Sequence, residues 1–78
     1  MPENQNLSAK SLCLQTLAML EPILQEKQFA LANVKMQKIL GKIKPEDFDV
    51  KSKELDLQIY SLQKRIVREV DVLGKLKN

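Results

Sequence analysis

Gly41-Lys42-Ile43-Lys44-Pro45-Glu46-Asp47 is the stretch whose reading decides the fold. Glycine tolerates the left-handed conformation that ends a helix, and proline fits the first position of the next one. Ahead of the turn stand Lys35 and Lys38, with Lys42 and Lys44 inside it, where a first helix presents its negative carbonyl end. Beyond it stand Glu46, Asp47 and Asp49, where a second helix presents its positive amide end. Two antiparallel helices joined by a short loop follow from this arrangement. A bare hairpin has little core of its own, so the same reading calls for a partner.

Upstream of the turn, residues 1–7 are polar and read as a disordered N-terminus. Ser8 is a candidate N-cap, and Leu12, Cys13, Leu14, Leu17, Met19 and Leu20 cover one broad side of a helix. Pro22 interrupts this pattern, because proline removes a backbone donor and clashes with the carbonyl four residues earlier. The first helix region, about residues 8–43, is therefore expected to be kinked or broken at Pro22. The alternative is a three-helix unit in which the N-terminal piece folds back on the hairpin. Between Ile23 and Ile43 the stripe Phe29, Ala32, Met36, Ile39 and Ile43 advances by threes and fours. That stripe reads as the seam toward the second helix, with Leu24, Leu31 and Val34 beside it.

Downstream, the second helix is expected over residues 45–73. Phe48, Ser52, Leu55, Ile59, Leu62, Ile66, Glu69 and Leu73 repeat at steps of four and three, a heptad with two polar interruptions. Gly74 reads as the stop and residues 75–78 as a frayed tail, so one helical domain spans 8–74. Tyr60, Val67 and Val70 form a second apolar line outside the seam. A hairpin needs one seam per helix. We therefore assign Leu17, Leu20 and Leu24 with Tyr60, Val67 and Val70 to a partner-binding face.

The 78 residues hold one small domain, and the usual staples of such domains are missing. Cys13 is the sole cysteine and histidine is absent, so neither an internal disulfide nor a zinc site is expected. The lone thiol suits a reducing compartment and reads as a small apolar residue. The acidic group Glu46, Asp47 and Asp49 lacks the spacing of a calcium loop, and its place at a helix start accounts for it. With no histidine and two isolated glycines, no active site and no phosphate loop emerge; neither an enzyme nor a cofactor is expected. The net charge of +3 is too mild to argue for nucleic acid. The five lysines of residues 27–44 come with no arginine and with Phe29 as their single aromatic, too little for base stacking, and Glu69 and Asp71 dilute the trio Lys64, Arg65 and Arg68. The longest apolar runs, Leu17-Ala18-Met19-Leu20 and Phe29-Ala30-Leu31-Ala32, fall far short of the roughly 20 residues of a membrane span. The opening Met1-Pro2-Glu3-Asn4-Gln5-Asn6 carries no basic residue as a secretion signal would, so a cytoplasmic location is expected.

The turn with Gly41 and Pro45-Glu46-Asp47-Phe48, and the Gln- and Leu-containing helix from Leu55 to Ile66, carry a resemblance. Over roughly residues 22–70 the layout resembles the small co-chaperones of the needle subunit in bacterial type III secretion systems. The resemblance implies a helical hairpin that pairs in the cytosol with a larger, tetratricopeptide-like chaperone. Together the two would keep a needle subunit soluble and monomeric until export. The alternative from another class is a homodimeric four-helix bundle serving as a structural subunit or binding nucleic acid through its basic face.

Overall fold

The computed structural model describes residues 2–76. Met1 and residues 77–78, parts of the expected disordered N-terminus and frayed tail, lie outside the described residues. The architecture is all-α: helix α1 (Pro2–Ile39) turns back into helix α2 (Pro45–Lys75), and the two pack side by side as an antiparallel hairpin. The expected hairpin is present. The three-helix alternative is not, because α1 runs through Pro22 without a break and starts at Pro2 rather than at Ser8. Pro22 and Ala18, whose carbonyl loses its helical donor, are both exposed, so water can serve that carbonyl.

The turn behaves as its residues dictate. Gly41 adopts φ 70°, and the backbone amides of Gly41 and Lys42 donate to the carbonyls of Lys38 (3.1 Å) and Gln37 (2.8 Å). This double closure satisfies carbonyls that the helix end would otherwise leave open. Lys44 is extended, Pro45 takes the first helical position, and the Phe48 amide donates to the Lys44 carbonyl at 2.9 Å. Across the turn the Lys38 ammonium sits 4.2 Å from the centre of the Phe48 ring, tying the last turn of α1 to the first of α2. At the far end Gly74 does not stop α2, which continues to Lys75 and is capped at Leu76. Leu76 is half-buried and stands one further step along the heptad.

In α2 the seam is the one the heptad predicts. Phe48, Ser52, Leu55, Ile59, Leu62, Ile66, Glu69 and Leu73 are all half-buried. In α1 the seam is a different one. Phe29 is 77% exposed and Ile39 79%, and Met36 is exposed too. The inner stripe is instead Cys13, Leu17, Leu20, Leu24, Lys27, Leu31 and Val34, again at alternating steps of four and three. Two ladders of equal periodicity thus share this helix. Extended toward the N-terminus, the Phe29 ladder runs into Gln25, Pro22, Ala18 and Gln15, whereas the other, Lys27 apart, stays apolar through Cys13. Only the second can face the whole length of α2, and it wins. The hydroxyls of Thr16 and Ser52 donate to the carbonyls of Leu12 and Asp49 in their own helices.

The result is a rod. Its Cα extents are 60 × 15 × 12 Å and its radius of gyration is 17.7 Å. A compact chain of this length would have a radius of gyration of about 11–12 Å. Accessible surface is 6315 Å², against about 4,900 Å² for a compact monomer of this mass. Among the described residues only Cys13, Leu20 and Val34 are buried, and α2 contributes no buried residue.

Candidate partner-binding surface

The outer surface follows from helix geometry. Once each helix commits one heptad ladder to the other, every apolar residue on the remaining positions faces outward. On α2 these are Val50, Leu57, Tyr60, Val67, Val70 and Val72. Tyr60, Val67 and Val70 stand exposed along one flank, as assigned from the sequence. With Gln63, Lys64, Arg68 and Asp71 the first two line a shallow groove of about 470 Å³. The Lys64 ammonium lies 5.2 Å from the Tyr60 ring and forms one wall of it.

Leu17, Leu20 and Leu24, the other half of the expected partner face, lie elsewhere. Leu20 is only 7% exposed, and Leu17 and Leu24 are half-buried. They are rungs of the inner ladder and hold α1 to α2. The six residues named from the sequence are therefore not one surface: three close the hairpin and three stand on its outside.

What that reading missed is the outer side of α1. Phe29, Met36 and Ile39 are exposed in a stripe over its last turns, and Leu40, just past its end, continues it. Leu12, Met19 and Ile23, spaced by seven and four, are exposed nearer its start. Ile23 and Lys27 of α1, with Leu57, Gln58, Ser61 and Leu62 of α2, line a second open groove of about 420 Å³ between the helices. The missed signal was the continuation of the ladder across Pro22, visible only when residues 13–38 are read as one helix.

The interior holds one chemically distinctive pair. Burial pushes the Cys13 thiol above its ordinary pKa, and hydrogen bonding to Glu69 and the charge of its carboxylate push it further. The thiol is thus held protonated, the opposite of what a reactive cysteine needs. Glu69, a polar interruption of the α2 heptad, stands across the seam from Cys13. Among the described residues no group of acidic, cysteine or histidine side chains is arranged to hold a metal ion. No helix there is long and apolar enough to cross a membrane. The chemistry on offer is helix packing. Compared with protein-family models, with curated proteins and with solved structures, the chain matches none.

Proposed function

We propose that this chain is an adaptor that works by laying its outer apolar faces against a larger helical protein. In the setting implied by the resemblance at residues 41–48 and 55–66, it is a cytosolic co-chaperone. There it pairs with a helical-repeat chaperone to keep a type III secretion needle subunit soluble and monomeric. The observation that carries the reading is the surplus of outward apolar surface. The chain exposes roughly 1,400 Å² more total surface, polar and apolar together, than a compact monomer of its mass, against the ~800 Å² that each partner contributes to a standard interface. Large apolar residues line the outside of both helices. Superhelical repeat chaperones present extended concave surfaces and terminal helices that such a rod can cover.

Val67→Glu tests the proposal. Val67 is 66% exposed and belongs to no seam, so the variant keeps its helical circular dichroism. It should lose co-purification with a co-expressed chaperone and needle subunit. Retained co-purification would remove Val67 from the interface. A discrete homodimer of the isolated chain in light scattering would favour the self-contained four-helix bundle instead.

A further inference from the structure

We infer that the outer stripe of α1 from Phe29 to Leu40 docks an apolar helix of a partner protein whose flanks carry aspartate and glutamate. The inference rests on the adaptor reading for the existence of a protein partner, and names the chemistry that partner must present.

Geometry supplies the first part. Phe29, Met36, Ile39 and Leu40 are all exposed and repeat every third, fourth or seventh residue. They span about 16 Å of helix at 1.5 Å per residue. That length matches three turns of a facing helix with apolar anchors at i, i+3 or i+4, and i+7.

Charge supplies the second part. Residues 27–44 contain five lysines and no acidic residue, which leaves eight basic against ten acidic residues in the rest of the chain. The positive charge of the molecule is thus concentrated around this stripe. Lys38 is engaged over Phe48. Lys35, Lys42 and Lys44 are exposed, and none of them takes part in the ion pair between Lys75 and Asp71. An apolar strip with a lysine border selects a partner of opposite border charge.

The same lysines argue against a second copy. A twofold interface brings one patch onto itself. Antiparallel pairing of Phe29 with Leu40 of a second copy would set Lys35 beside its own counterpart, with no acid near to relieve it. Nucleic acid is disfavoured by the centre of the strip, where methionine, isoleucine and leucine offer a phosphate backbone nothing.

The test uses the full chain and two synthetic helical peptides of about 18 residues with a leucine seam. One is flanked by glutamates and the other by lysines, and binding is read by fluorescence anisotropy of a labelled peptide. The glutamate peptide should bind at least about tenfold tighter, and its affinity should weaken between about 50 and about 300 mM salt. Reversing Lys35, Lys42 and Lys44 to glutamate should invert the preference. Phe29→Ser should weaken binding by about tenfold or more with helicity unchanged, whereas Val67→Ser should not alter it. Equal binding of the two peptides, or binding of neither, would overturn the inference. So would dependence on Val67 rather than Phe29, or binding of an oligothymidylate that Phe29→Ser leaves intact. Co-purification that requires Val67, combined with indifference to both peptides, would leave the adaptor reading standing and sink this one alone.

Discussion

Helix α2 has a clear apolar side, whereas α1 spreads its apolar residues around its circumference. The first pattern belongs to a helix with one neighbour; the second belongs to a helix covered on more than one side. In the hairpin α1 has the single neighbour α2, so its outer residues Leu12, Met19, Phe29, Met36 and Ile39 meet solvent. The contrast teaches that the two helices have different tasks. α2 closes the fold and adds a narrow flank at Tyr60, Val67 and Val70, while α1 is an element shared between this fold and something else.

The sharpest way to break that comparison is to exchange inside for outside on α1. Leu20→Ala, at a buried rung, should cost about 2–5 kcal/mol in chemical unfolding followed by circular dichroism. Phe29→Ala, on a larger but exposed residue, should stay within about 0.5 kcal/mol. Equal costs would mean that the Phe29 ladder is the true seam. A smaller effect is expected at the joint between the helices. Gly41 has φ 70° and open space around its missing Cβ, so Gly41→Ala should cost about 1 kcal/mol from backbone conformation alone. A larger loss in the same unfolding experiment would mean that the turn also sets the register of the two ladders.

The smallest effect concerns Cys13 and Glu69. The folded state raises the pKa of Cys13, so its contribution to stability is whole below the thiol's unfolded pKa. It is lost as pH climbs through the higher folded value. Stability should therefore decline on the alkaline side. Cys13→Ala should flatten that decline, and Glu69→Gln should shift the titration of the thiol downward, as read from its rate of alkylation against pH. A slope unchanged by Cys13→Ala would assign the decline to other groups.

Much of this architecture was legible in the residues. The glycine-to-proline turn marked the reversal, and the α2 heptad marked its buried side, because one apolar ladder admits one answer. α1 resisted because it carries two ladders of the same period, offset by two residues. The choice between them depends on Gln15, Ala18, Pro22 and Gln25, which disqualify the Phe29 ladder only when the helix is followed through Pro22. Treating proline as a boundary hid those residues. The exposure of Tyr60, Val67 and Val70 was legible because the α2 heptad already filled the seam. Leu17, Leu20 and Leu24 were misplaced for the reason that Phe29, Met36 and Ile39 were.

The rod shape has a consequence for how the molecule travels. A body 60 Å long and 15 Å wide drags more solvent than a sphere of equal mass and tumbles slowly about its short axes. On a sizing column a single copy of this chain should elute early, at the position of a considerably heavier globular protein. Elution volume alone would then count one molecule as two, and only a mass measured independently of shape tells them apart.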